Sequence, residues 1–244
     1  GHSTIGNHFG NFGKALDAIG YKGDTLGRYR LDENYFEKID NEQKAYFIGL
    51  LITDGNIHST RNVIQIGLVE EDKHILEYLS KLVQTNKPLI FIPIKKKFPN
   101  RKNAYSIELV SKKMKKDLYK KKIGSRKTFD VRLPSKKVIP NHLMRHCIRG
   151  IFDGDGSIYL VGRFSITSGS LLLLEDIKKY FKKELNLIGV IRSKVQHSSS
   201  KELYFNTGKN FLNTKKIYNF LYKGADPKCY LYRKHDRFKK FNKK

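Results

Sequence analysis

Two stretches, Ala45-Tyr-Phe-Ile-Gly-Leu-Leu-Ile-Thr-Asp-Gly55 and His146-Cys-Ile-Arg-Gly-Ile-Phe-Asp-Gly-Asp-Gly156, decide how this chain folds. Laid over one another they place Gly49 on Gly150, Asp54 on Asp155 and Gly55 on Gly156, each pair 101 positions apart (155 − 54 = 101). Phe47, Ile48, Leu50 and Leu51 make the first stretch apolar around most of a helical circumference, and Ile148, Ile151 and Phe152 do so in the second. Both are therefore expected to be buried helices. The first opens with Asp40-Asn-Glu-Gln43, a cap with Gln at the third position, and the second follows Pro140 with Asn141 as cap. Gly49 and Gly150 put no side chain between backbones, so the natural partner of each helix is its copy across an approximate two-fold axis. Packed that way, the helices end together and Asp54 and Asp155 stand side by side.

Working outward, the chain repeats itself from Leu31 onward. Strand-like alternation follows each helix, over Val63 to Leu68 and Arg163 to Thr167. A second helix is expected over Asp72 to Val83 and Leu171 to Leu185. Strand pairs come next, Leu89 to Lys95 with Tyr105 to Val110 and Val190 to Gln196 with Leu203 to Asn206, then final helices near Lys113 to Lys121 and Phe211 to Tyr222. The fold class is α+β, two pseudo-symmetric αββαββα halves of about 100 residues each. The boundary falls near Pro134 to Asn141, giving halves of 31–137 and 138–244. Residues 1–30 are glycine-rich and lack a sustained pattern; they are read as an N-terminal appendage, the remnant of a small helical DNA-binding module. With Gly1 rather than Met first, the chain reads as a trimmed fragment.

Lys and Arg number 49 against 23 Asp and Glu, a formal net charge of +26. Such a chain repels itself when compact, and a polyanion is the partner that offsets this. Nucleic acid is favoured over a membrane surface, although charge alone does not choose DNA over RNA. Apolar runs such as that around Leu171 to Leu174 fall far short of the roughly 20 residues that span a bilayer. No signal peptide is read before them, so the expectation is an intracellular protein without membrane attachment, in a bacterial or phage cytoplasm or an organelle matrix. Cys147 and Cys229 give neither a disulfide framework nor a metal-binding spacing, which fits a reducing compartment.

Two carboxylates at the negative ends of two helix dipoles are costly, and each raises the pKa of the other. A divalent cation reverses both penalties, and hard oxygen ligands suit Mg²⁺. Cations bridging carboxylate and phosphate oxygens can activate water and stabilise a departing alkoxide in phosphodiester hydrolysis. A two-fold axis between the helices matches the symmetry of duplex DNA. The expected chemistry is a double-strand cut, with one Asp for each strand.

Phe47-Ile-Gly-Leu-Leu-Ile-Thr-Asp-Gly55 and Ile148-Arg-Gly-Ile-Phe-Asp-Gly-Asp-Gly156 resemble the paired signature helices of LAGLIDADG homing endonucleases. The likeness runs from about Leu31 to Lys240 and includes Ser157-Ile158 and Tyr230-Leu-Tyr-Arg-Lys234. The second motif is highly specific and the first somewhat degraded. The resemblance implies a monomer whose halves each carry a saddle-shaped antiparallel sheet on DNA. It also implies Mg²⁺-dependent cleavage across the minor groove leaving short 3′ overhangs, with Mn²⁺ substituting and Ca²⁺ binding without supporting cleavage. The family's metal-binding acid falls on Asp54 and Asp155. Two positions earlier, Asp153 stands against Ile52, a variable place that is no metal ligand. Lys112 and Lys209 match the lysines that the family places near the catalytic water.

An antiparallel ribbon enters the major groove and presents alternate side chains to it. The expected DNA-reading set in the second half is Arg163, Ser165, Thr167, Arg192, Lys194, Gln196, Tyr204 and Asn206. In the first it is Gln65 and Ser106, with Arg61, Lys95, Lys97 and Arg101 near loops. Lys113 to Lys122 reads as a solvated face that also meets phosphate, and Cys147 as packing. Two halves side by side would cover double-stranded DNA of roughly 20 bp. Rival readings are an RNA-splicing maturase and a catalytically inert DNA-binding regulator; the presence of both aspartates favours the nuclease. An intein is not expected.

Overall fold

The computed structural model describes residues 8–10, 14–15, 18–19, 29–94, 102–124, 130–194 and 197–242. The first run consists of α1 (Glu42–Thr53), β1 (Gly55–Ile57), β2 (Val63–Val69), α2 (Lys73–Leu82), β3 (Ile90–Ile92), β4 (Ala104–Val110) and α3 (Lys112–Lys120). The second consists of α4 (Asn141–Asp155), β5 (Gly156–Ile158), β6 (Phe164–Ser168), α5 (Leu171–Leu185), β7 (Gly189–Lys194), β8 (His197–Phe205) and α6 (Leu212–Tyr222), with a further helix α7 (Tyr232–Asn242). Both runs are αββαββα, as the repeat predicts. Each folds into a four-stranded antiparallel sheet, in the orders β1-β2-β4-β3 and β5-β6-β8-β7.

Alternation in the strands decides which face is buried. Ile64, Ile66 and Leu68 of β2 point into the core with Ile107 and Leu109 of β4, and Phe164, Ile166, Leu203 and Phe205 do so in the second sheet. The core continues through Phe47, Ile48, Leu50 and Leu51 of α1 and Cys147, Ile148, Ile151 and Phe152 of α4, all inaccessible to solvent. The opposite sheet faces are left outward.

α1 and α4 pack directly against each other, and the two glycines are the reason. A Cβ on Gly49 would stand 2.0 Å from the Cys147 carbonyl oxygen, and one on Gly150 would stand 2.1 Å from that of Tyr46. Only residues without a side chain allow this approach. The helix starts differ from expectation. Asn41 caps α1, its side chain accepting from the Lys44 amide at 2.9 Å, while Gln43 turns away to Asp226 at 3.1 Å. Pro140 stands at the α4 cap position and Asn141 is already helical, because the fixed φ of Pro140 sets the first turn, in which its carbonyl accepts from Leu143 at 2.9 Å.

The inter-helix layer also buries an arginine. Arg149, fully inaccessible, donates from Nε to the Cys229 carbonyl at 2.8 Å, from Nη1 to the Leu221 carbonyl at 3.0 Å and from Nη2 to Glu42 at 2.8 Å. Burial and the adjacent guanidinium hold His146 down at about 3, so it is neutral and lies 2.6 Å from Nη1 through Nδ1. Glu42 in turn accepts from the Asp226 amide at 2.7 Å. Arg149→Met is expected to cost about 3–5 kcal/mol, because it leaves carbonyls and the Glu42 charge without their buried partner. Urea unfolding against the parent chain measures it.

The segment 226–234 fastens α7 to both runs. Tyr78 donates to Asp226 at 2.9 Å, His74 stacks on Tyr232 with ring centroids 4.2 Å apart, and Arg233 pairs with buried Asp72 at 2.8 Å. On the α4 side the Leu231 amide donates to Asp153 at 3.0 Å.

Candidate metal centre and nucleic-acid face

Asp54 is the residue on which α1 stops, its amide still bonded to the Leu50 carbonyl at 2.9 Å, and β1 begins at the next residue. Asp155 is the last residue of α4 and β5 begins at Gly156. Gly55 pairs with Ile66 and Gly156 with Ile166, so both carboxylates stand at the same helix-to-strand junction of their runs. The two junctions meet. A Cβ on Gly154 would lie 2.0 Å from Thr53 Oγ1 and 2.5 Å from Asp54 Oδ2, so the Asp54 carboxylate rests over the residue adjoining Asp155. Thr53 Oγ1 steadies it, donating to Oδ2 at 3.2 Å. Asp54 is half-buried and Asp155 exposed, which leaves the pair open at one end.

A lysine absent from the sequence-based site completes this corner. Lys234 Nζ, near the start of α7, donates to the carbonyls of Phe152, Asp153 and Gly154 at 2.9, 2.5 and 3.1 Å. It thus caps the negative end of the α4 dipole. Burial brings its pKa down to about 8 against the opposing pull of Asp153, Asp54 and Asp155, so one ammonium feels both terminal aspartates. It lines a cavity of about 240 Å³ with Gly154, Gly156, Ser157, Ile158, Arg233 and Arg237.

Asp153 serves elsewhere. Its carboxylate is buried, accepts from Tyr46 Oη at 2.9 Å and Tyr222 Oη at 3.4 Å besides Leu231, and is pushed up to about 6 by burial. It holds the 226–234 segment in place.

Among the described residues no three His, Cys, Asp or Glu cluster. A cation between Asp54 and Asp155 would therefore complete its shell from water and ligand oxygens, and hard oxygen donors beside two helix C-termini suit Mg²⁺, which keeps several waters.

Lys112 opens α3 and is exposed, five residues beyond Ile107, which pairs with Ile66 at the level of Gly55. Lys209 is likewise exposed, six residues beyond Leu203, which pairs with Ile166.

The outward faces are more structured than alternation suggested. Ser106 is buried, accepting from Gln65 Nε2 at 2.8 Å, and Ser165 is buried too, so neither is open to a ligand. Each sits in the middle of a sheet, overlaid by longer neighbours. Thr167 and Tyr204 are half-buried, Asn206 and Arg61 exposed, and Lys194 ends β7. Arg192 pairs with buried Glu202 at 2.8 Å. Arg163 lies over the rings of Tyr159 and Tyr204, 4.6 and 5.1 Å from the centroids. Lys95, Lys97, Arg101 and Gln196 lie outside the described residues. The α3 lysines are not uniformly solvated: Lys115 is buried, its Nζ donating to the Ser59 and Arg61 carbonyls at 2.8 and 2.9 Å. No described helix is long and apolar enough to cross a membrane.

Residues 143–244 match the family model of a LAGLIDADG-like domain. The homing endonuclease I-WcaI bound to its DNA recognition sequence is similar in structure, at a TM-score of 0.61 and 15% identity over 88% of this chain and 96% of that one. A variant of I-DmoI in complex with its target DNA in the presence of Mn gives 0.53 and 12%, over 80% and 99%. Full-length WhiA from Thermatoga maritima gives 0.50 and 18%, over 86% and 66%. No curated protein matches the chain by sequence.

Proposed function

We propose, for a chain that has the LAGLIDADG homing-endonuclease fold and carries a LAGLIDADG-like domain over residues 143–244, that it is a site-specific DNA endonuclease acting as a monomer. The observation that carries this reading is the junction of α1 and α4. Two glycine-notched helices end in contact, with Asp54 against Gly154 and one lysine in the field of both terminal aspartates.

Asp54 and Asp155 would hold the divalent ion, Mg²⁺ by the chemistry of the donors, with Mn²⁺ in its place and Ca²⁺ binding without cleavage. When bound, such an ion supplies charge neutralisation at the phosphate and Lewis-acid activation of water. The chain's own part is positional. Asp54 and Asp155 face one strand each, and Lys234 keeps a positive charge beside the phosphate that gains negative charge as water adds. Water attacks phosphorus, the bond to the 3′ oxygen breaks, and a 5′ phosphate and a 3′ hydroxyl remain. The net charge of +26 supports a polyanionic duplex as substrate. Two sheets side by side are consistent with a site of about 20 bp, cut to leave short 3′ overhangs. We further propose that residues 31–137 and 138–244 are the two structural halves, each serving one half-site.

WhiA shares the fold, so cleavage rests on the two carboxylates and not on the architecture. A DNA-binding protein that does not cut is the second reading. Incubating the chain with a randomised duplex library in Mg²⁺ and sequencing the ends separates them. We expect one extended site cut on both strands, with all cutting lost in excess chelator and restored by Mn²⁺. Enrichment of bound but uncut duplexes would favour the second reading.

A further inference from the structure

We propose that Arg163 reads a guanine in the half of the target that meets the second sheet. The inference rests on the endonuclease reading only in that a duplex must lie on this face. The outward side of the sheet carries two arginines in different states. Arg192 is committed to the protein: its Nε and Nη2 both lie 2.8 Å from Glu202, a carboxylate that is itself buried. Burial would raise Glu202, but hydrogen bonds from Tyr159, Arg192 and Ser165 outweigh it and keep the carboxylate charged below its ordinary range. The charge of Arg192 is spent in the sheet.

Among the described residues Arg163 has no such counter-charge. No carboxylate pairs with it, and its Nε is buried with no hydrogen-bond partner among the described residues. Its guanidinium is instead held flat by the Tyr159 and Tyr204 rings. Tyr159 is itself fixed, donating from Oη to Glu202 Oε1 at 2.6 Å. Buried Glu202 therefore anchors one wall of the stack. Stacking restricts the rotamers of a long side chain before any ligand arrives, which lowers the entropic cost of forming directed bonds.

Its place on the sheet favours a base over a phosphate. Arg163 adjoins β6 and Tyr204 lies on β8, the two middle strands of β5-β6-β8-β7. The middle of a ribbon meets the groove floor, and its edges meet the flanking phosphates. On that floor guanine alone offers two acceptors, O6 and N7, to a guanidinium fork, whereas adenine pairs its N7 with a donor. Arg163 is three residues from Ile166, the partner of Gly156 beside Asp155. At about 3.4 Å per residue and per base pair, the guanine lies about three base pairs outward of the cut on that side.

The test is affinity selection from the randomised duplex library at fixed salt in Ca²⁺, with the parent chain, Arg163→Gln and Arg163→Lys. The parent is expected to select guanine at one position near the predicted distance. Arg163→Gln should lose that preference by on the order of 10–100-fold while keeping the preferences elsewhere, and Arg163→Lys should weaken it less and retain most of the affinity, because it keeps a charge that can donate to guanine and loses only the planar fork. Uniform weakening of all duplexes by Arg163→Gln, with the guanine preference intact, would mean a phosphate contact and overturn the inference while leaving the endonuclease reading in place. An unchanged selection pattern would also overturn it. Failure of the parent chain to select any duplex would overturn both.

Discussion

Asp54→Asn and Asp155→Asn are each expected to bind the selected duplex with near-parental affinity and to cut neither strand at a measurable rate. Asn keeps the shape of the side chain and removes the charge that a divalent ion needs. Loss of one such ligand forfeits several kcal/mol of transition-state stabilisation. At about 1.4 kcal/mol per factor of ten, that is a thousandfold or more in rate. Binding survives because it comes from lysines and arginines spread over the sheets and loops. Stability moves the opposite way: each aspartate sits at the C-terminal end of a helix, where negative charge is unfavourable, so either variant should be equally stable or firmer by up to about 1 kcal/mol. Single-turnover cleavage, filter binding and urea unfolding on the same preparations read all three. A general folding defect would lower them together. Full cutting by either variant would remove that residue from the site.

Gly150→Ala and Gly49→Ala should destabilise the fold more than any other single-methyl addition. The new Cβ would stand 2.1 or 2.0 Å from a backbone carbonyl oxygen of the facing helix. Reaching ordinary contact near 3.4 Å requires the helices to part by more than an ångström along their buried seam. Overpacking a core commonly costs 1–3 kcal/mol, and here no side chain can move aside, so about 3 kcal/mol or more is expected. Against a usual total of about 5–15 kcal/mol, that is a large share. What remains folded should cut poorly, since an ångström of misplacement at a reacting centre can cost about a hundredfold. Gly67→Ala is the control: a Cβ there meets only the Tyr105 carbonyl at 3.9 Å, and stability should change by less than about 0.5 kcal/mol. Equal urea midpoints for Gly150→Ala and the parent would contradict the packing described.

Much of this was legible in the sequence, and the parts that were not share a cause. The central helices could be read because the glycines and aspartates recur at a fixed offset, and each constraint is local to one helix. The second helices and β2, β4, β6 and β7 carried enough apolar periodicity to be placed within a residue or two, whereas β8 begins at His197, six residues before the expected Leu203, because His197 to Glu202 carry no apolar alternation. β1 and β5 are three residues long and paired on one side, too short for alternation to separate them from a turn. α7 escaped because seven of its eleven residues are Lys, Arg, His or Asp, and its apolar contacts come from Phe238 and Phe241 alone among the buried residues. Lys234 lies in the Tyr230-Leu-Tyr-Arg-Lys234 stretch that carries the resemblance, but nothing in that stretch assigned it a role in the site, since only the path of 226–234 across α4 brings it to the aspartates. Ser106 and Ser165 alternate as outward residues should; what covers them is the width of the sheet, which alternation does not encode.

The account depends on Asp54 and Asp155 sharing cations at the junction of α1 and α4. Anomalous diffraction from crystals of the chain with its selected duplex and Mn²⁺ measures this directly. Manganese is expected within about 2.0–2.6 Å of carboxylate oxygens from both residues, with phosphate oxygens of the two strands completing the shell. Manganese bound elsewhere, or the two carboxylates turned apart without an ion at either, would contradict it.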